Sequence, residues 1–146
     1  MSHSYLKIWI HAIWSTKNRL PLITPVIETA LFEQMTKEFS ECGCMVKIIN
    51  GMPDHIHCLF SMNAQKSVGE VIKQVKGSTS HWINQQNNVR EKFSWQTGYA
   101  AYSVSESQLS KVFKYIQHQK THHAKTTFLK EYENFMALHG LTNNGE

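Results

Sequence analysis

The run Met45–Met62, MVKIINGMPDHIHCLFSM, sets two apolar segments rich in strand-forming residues on either side of GMPD. Pro and Asp shape a tight reversal there, and segments joined by so short a connection pair as antiparallel neighbours. This hairpin commits the chain to a sheet, and the remaining segments supply the rest of it. Upstream, Tyr5–Thr16 (YLKIWIHAIWST) reads as a strand. Thr24-Pro25 with Glu28 in the first turn opens a helix whose apolar stripe is Ile27, Ala30, Leu31, Met35 and Phe39, closed by Gly43. Downstream, Ser67 and Glu70 form a capping box ahead of Val68, Val71, Ile72, Val75 and Trp82. Tyr99–Val104 reads as a fourth strand. Ser105 with Gln108 is a second capping-box pattern, before a helix carrying Leu109, Val112, Phe113 and Ile116. Phe128–Leu138 fits a short C-terminal helix. The order strand, helix, strand, strand, helix, strand, helix is the split βαβ of an α+β, ferredoxin-like fold. It predicts an antiparallel sheet with helices on one face, the other face being left for a ligand or partner.

The 146 residues fit one domain spanning 1–146. No apolar run approaches the length of a membrane span. Lys7 and His11 interrupt the apolar N-terminal segment, so it does not read as an export signal. An odd set of three cysteines, Cys42, Cys44 and Cys58, suits a reducing compartment. A cytoplasmic protein without membrane association is expected. The formal net charge is +4, a moderate bias toward an anionic partner. From Ser107 to Lys130 there is no Asp or Glu, while Lys111, Lys114, Lys120, Lys125 and Lys130 accompany His118, His122 and His123. Such a run is either a solvated face or a phosphate-binding one.

Strand alternation puts His55 and His57 on one face and Ile56, Cys58, Phe60 and Met62 on the other, core-facing one. Two imidazoles at adjacent same-face positions can grip one metal ion, with Asp54 placed to orient a ring. The bland alternative is two ordinary surface histidines. On the helix after Ser105, Tyr115 and Gln119 are four apart and share a face with Gln108 and His122. Gln119 can offer an amide oxygen to an ion, and Tyr115 would lie one turn away; the bland alternative is a Tyr bordering the core. Other chemistries are disfavoured. No glycine-rich phosphate loop is present, Cys42–Cys44 is not a CxxC pair, and carboxylates are too sparse for a glycosidase pair. Trp9 and Trp14 are assigned to packing.

Five segments together resemble the small HUH single-tyrosine transposases of insertion sequences (TnpA-like) and the related REP-associated tyrosine transposases. They are WSTKNR (14–19), GMPDHIHCLFSM (51–62), SVGEVIKQVKGSTSHW (67–82), WQTGYAAYSVS (95–105) and YIQHQKTHH (115–123). The resemblance covers roughly residues 5–135. It implies that His55 and His57 are the metal-binding pair, that Tyr115 is the nucleophile, and that Gln119 completes the metal site. It implies Mg²⁺ or Mn²⁺ as cofactor and single-stranded DNA with hairpin ends as substrate. It also implies a homodimer, in which the tyrosine helix of one subunit completes the histidine site of the other in several members. The basic residues Lys17, Arg19, Lys73 and Lys76 are the candidate DNA contacts.

The chemistry implied is in-line attack of the Tyr115 phenol on a phosphodiester, giving a covalent 5′-phosphotyrosine and a 3′-hydroxyl. The bond energy is kept for rejoining. A domesticated relative acting on chromosomal hairpins remains an alternative, as does a non-catalytic ferredoxin-like nucleic-acid-binding module. The short chain beyond Phe135 leans toward the mobile-element type.

Overall fold

A computed structural model describes residues 5–86, 91–121 and 128–140, with backbone alone at residues 128, 129, 131, 132 and 135. Expected contributions from His122, His123 and Lys125 lie outside the described residues. Strand β1 (Trp9–Ser15) leads through a short 3-10 turn (Lys17–Arg19) into helix α1 (Pro25–Glu41). The hairpin β2 (Val46–Met52) and β3 (His55–Ser61) follows, then helix α2 (Val68–Asn84) and strand β4 (Ala100–Val104). Helix α3 (Leu109–Gln117) and helix α4 (Phe128–Leu138) complete the order. The sheet runs β2-β3-β1-β4 with antiparallel neighbours throughout, which is the ferredoxin-like arrangement.

The sheet sorts its residues by parity. Ile10, Ala12 and Trp14 of β1 and Ile56, Cys58 and Phe60 of β3 face one side. There they meet Ile27, Leu31, Met35 and Phe39 of α1 and Val71, Ile72, Val75 and Ile83 of α2 in the main core. Both helices present apolar residues three to four apart, and burying that stripe drives the layer together. Pro25 begins α1 as expected, although the Thr24 side chain makes no cap hydrogen bond. At α2 both halves of the capping box form: Ser67 Oγ accepts from Glu70 N, and Glu70 Oε1 accepts from Ser67 N, each at 3.1 Å. Gly43, at φ 75°, takes the left-handed position that ends α1.

Helices α1 and α2 share the expected face. Helix α3 takes the other one, so that face is partly covered rather than open. Its stripe, Val112 and Ile116 flanked by Leu109 and Phe113, packs on Leu59 of β3 and Val104 of β4. Leu59 shares parity with His55 and His57 and is fully buried, and an apolar residue there needs a cover. The capping-box pattern at Ser105 does not form. A 3-10 turn (Glu106–Gln108) precedes α3, no side chain caps it, and Ser105 Oγ pairs instead with Ser107 Oγ at 3.1 Å. Strand β1 also starts later than expected, at Trp9, because its partner β3 ends at Ser61 opposite it.

Candidate active site

The site is built on the α3 face of the sheet. Parity places Trp9, His11 and Ile13 of β1, Asn50 of β2, His55, His57 and Leu59 of β3, and Tyr102 and Val104 of β4 on that side, in the register Asn50–His57 and Leu59–His11–Tyr102. His55 and His57 are therefore neighbours, with ring centroids 5.4 Å apart. They are not surface groups. His57 is 1% exposed and His55 is 5% exposed, since α3 overhangs them. A strand position this buried does not tolerate truncation lightly, so replacing His57 costs stability.

Asp54 sits in the two-residue turn of the hairpin. Its backbone carbonyl accepts from Thr16 N at 2.9 Å, and Pro53 O accepts from Ile23 N at 2.9 Å, which ties the turn to the end of β1 and the start of α1. Its carboxylate has two partners. Oδ1 lies 2.8 Å from His55 Nδ1, and Oδ2 accepts from Nε and Nη2 of Arg19 at 3.2 Å. The His55 hydrogen bond foremost, with the positive charge of Arg19, holds the Asp54 carboxyl down at about 2 despite partial burial. Arg19 reaches it from a left-handed backbone, with Asn18 and Arg19 both at φ 56°. Such backbone is strained for Arg, and the ion pair lies at its tip. Gly51 leaves space for the hairpin: a Cβ there would stand 2.2 Å from His55 O.

Tyr115 arrives from α3. Its ring lies edge-on to His57 at a centroid distance of 5.6 Å and to His11 at 6.4 Å. The C-terminus of α3 is fastened to β2. Asn50 Nδ2 donates to Ile116 O at 3.0 Å and Gln117 O at 3.2 Å, which satisfies carbonyls the helix leaves open. Lys120 Nζ donates to Asn50 Oδ1 and Gly51 O at 3.0 Å and pairs with Glu28 at 2.9 Å. Helical geometry breaks at His118 and resumes at Gln119, whose side chain is fully buried. The structure thus brings His55, His57 and Tyr115 together, with Gln119 one turn beyond the phenol.

The expected DNA contacts separate into two groups. Lys17 and Arg19 flank the site through the turn next to Asp54. Lys73 and Lys76 lie on α2, across the sheet from the histidines. Lys73 is exposed, whereas Lys76 Nζ donates to Gln96 O and Gly98 O at 2.8 Å and shapes that loop.

Sequence reasoning passed over His11 and His139. His11, fully buried on the central strand, stands 2.9 Å from His57 Nδ1 through its Nε2. Its Nδ1 is 2.6 Å from His139 Nε2, just after α4. Burial, with the neighbouring His139, pushes His11 down to about 3, and burial pushes His139 down to about 4, so both are neutral at pH 7. The signal was available: a histidine with the parity of Trp9 and Ile13, midway along an apolar strand, must be buried and needs a partner.

Among the described residues, no group of three or more His, Cys, Asp and Glu side chains is placed to hold a metal ion. The expected set is of another kind, two imidazoles and an amide oxygen. Its chemistry fits a divalent ion accepting mixed nitrogen and oxygen donors. Asp54 engages Nδ1 of His55 and His11 engages Nδ1 of His57, so an ion held by this pair would meet Nε2 of both rings. No helix among the described residues is long and apolar enough to cross a membrane.

Comparison with known proteins places the chain among transposases. A curated relative, the ISDra2 transposase TnpA of Deinococcus radiodurans, is 26% identical over 114 residues, covering 75% of this chain and 81% of the relative. The fold matches a crystal structure of a transposase candidate from Deinococcus radiodurans R1, with TM-score 0.61, 22% identity, and coverage of 82% of this chain and 95% of that one. It also matches a REP-associated tyrosine transposase bound to a REP hairpin, with TM-score 0.62, 15% identity, and coverage of 86% and 74%. The family model described as "Transposase IS200 like" matches residues 4–119. The chain belongs to the IS200-like transposase family.

Proposed function

We propose that this transposase cleaves and rejoins single-stranded DNA through a covalent 5′-phosphotyrosine at Tyr115, assisted by Mg²⁺ or Mn²⁺ held by His55, His57 and Gln119. The observation that carries the reading is the 5.6 Å approach of the Tyr115 ring to His57, itself 5.4 Å from His55. A phenol beside two paired imidazoles on a covered sheet face carries polar atoms that packing alone does not ask for, since a Phe and two aliphatic side chains would fill that space without them.

Tyr115 Oη attacks phosphorus in line, the P–O3′ bond breaks, and the 3′-hydroxyl leaves with a proton while the phenolic proton is lost. The ion supplies charge stabilisation on the phosphate oxygens. Within the chain, α3 positions the phenol, Asn50 holds the end of α3, and Asp54 and His11 orient the two imidazoles. Lys17 and Arg19 are proposed to meet the DNA backbone beside the site, and Lys73 and Lys76 a more distant stretch, Lys76 by exchanging its loop carbonyls for phosphate. A hairpin-ended substrate follows by analogy with the hairpin-bound REP-associated structure. A cytoplasmic homodimer is proposed as the working form. Tyr115 and His57 meet in one chain, which supports a site assembled without exchange of the tyrosine helix.

The test is a labelled hairpin single strand incubated with Mg²⁺ or Mn²⁺ and resolved on a denaturing gel. Wild type gives a covalent protein–DNA adduct and Tyr115→Phe gives none. Absence of the adduct with wild type, or its presence with Tyr115→Phe, overturns the assignment and favours a non-catalytic nucleic-acid-binding module.

A further inference from the structure

The two ligand-candidate imidazoles are oriented by different kinds of partner. A carboxylate only accepts, so Asp54 fixes His55 outright as the tautomer with hydrogen on Nδ1. The partner of His57 is another imidazole, which can accept or donate. A neutral His11 carries one N–H and one lone pair, and both of its nitrogens are engaged, at 2.9 Å with His57 Nδ1 and 2.6 Å with His139 Nε2. The two bonds must therefore run in the same direction. In one arrangement His57 Nδ1–H donates to His11 Nε2 and His11 Nδ1–H donates to His139 Nε2. In the other both bonds reverse, and the hydrogen of His57 sits on Nε2. Only the first leaves the Nε2 lone pair that an ion requires.

We propose that His11 and His139 are positioning residues, a two-imidazole relay that holds His57 as its Nδ1–H tautomer and so makes it a ligand. The inference rests on the metal-site reading above and adds to it a dependence on a residue beyond the matched span. Two features support it. His11 is fully buried on the central strand, where an aliphatic side chain would pack without a polar cost. The His139 ring is fixed by a stack on Tyr102, with centroids 4.4 Å apart and planes 23° apart. His139 also lies outside residues 4–119, the span the family model matches. The residue after the C-terminal helix thus supplies the acceptor that the first arrangement requires at the far end of the chain of rings.

The experiment uses the full chain, nitrogen-15 labelled. Long-range nitrogen–proton spectra of the metal-free protein at pH 8 report the tautomer of each neutral histidine. Mn²⁺ affinity is read separately from the resonance signal of the free ion. Wild-type His57 is expected as the Nδ1–H form. His11→Leu and His139→Leu are expected to shift it toward the Nε2–H form and to weaken Mn²⁺ binding about tenfold or more. His11→Gln keeps an acceptor near the Nε2 position and should stay within about threefold of wild type. Should His11→Leu fail to fold, the half-buried His139→Leu still decides. The relay is overturned by a wild-type His57 in the Nε2–H form, or by a His139→Leu protein with wild-type tautomer and affinity. If wild type binds no Mn²⁺, the metal reading fails, and the tautomer spectra alone judge the relay.

Discussion

Acidification should weaken this fold already above the carboxylate range, and the cause is its buried histidines. His11 is pushed from 6.5 down to about 3 and His139 from 6.5 down to about 4. On unfolding, both regain ordinary values. Between these limits the unfolded chain binds more protons than the folded one, so stability rises with pH; it is complete above about 6.5 and is lost as pH falls toward 3 to 4. Going from pH 7.5 to 5, one such group costs about 2 kcal/mol at 1.36 kcal/mol per pH unit. His11 is buried throughout and contributes the full amount. His139 is half-buried, and solvent screening reduces its share to about 1 kcal/mol. A combined loss of about 3 kcal/mol lowers the melting temperature of a chain this size by about 10 °C. Asp54, held at about 2 against an ordinary 3.8, keeps its contribution throughout this window and loses it only below about pH 4. The assay is thermal unfolding by circular dichroism at pH 7.5 and 5.0, with chelator present so that no bound ion masks the histidines. The double variant His11→Leu/His139→Leu serves as control for the general rise in positive charge, and its melting temperature should fall much less. A wild-type melting temperature that stays within about 2 °C between the two pH values, or a control with the same drop, refutes the reasoning.

Three further outcomes follow from the same contacts. Gly51→Ala puts a Cβ 2.2 Å from His55 O, so the hairpin must open; chemical denaturation should show a loss of at least about 2 kcal/mol, and adduct formation should fall with it. Asn50→Ala removes the donor to Ile116 O and Gln117 O and the acceptor for Lys120; a stability loss of about 1–2 kcal/mol is expected, with a larger relative loss in adduct rate because Tyr115 is no longer held. Ser67→Ala breaks the capping box across the sheet from the site; it should cost about 1 kcal/mol in denaturation and leave the adduct rate per folded molecule unchanged.

What could be read from the sequence follows from which interactions are periodic. Alternation in HIHCLFSM placed His55 and His57 on one face and Ile56, Cys58 and Phe60 on the other because a strand has only two sides, and a buried face fixes its register. The capping box at Ser67 was legible for the same reason: its bonds span three residues. The pattern at Ser105 looked equivalent and was not, because a 3-10 turn there draws Ser105 Oγ to Ser107. What escaped was contact between elements far apart in the chain. Leu59 was the clue that the histidine face is covered, since an apolar side chain in that row asks for a lid, and α3 carried an apolar stripe with no other place to bury it. Those two facts together would have predicted buried histidines. A buried imidazole has two nitrogens to satisfy, which sends the reader to the neighbouring central strand and to His11. His139 is further off still, 128 residues from its partner, and no local period could have joined them. The site is thus partly local pattern, Asp54 to His57 on a turn and strand, and partly tertiary, a helix and a C-terminal segment folded onto it. Mutations in the first part should act on chemistry and stability together, whereas the second part offers positions such as His139 where ligand geometry can be altered with the sheet left intact.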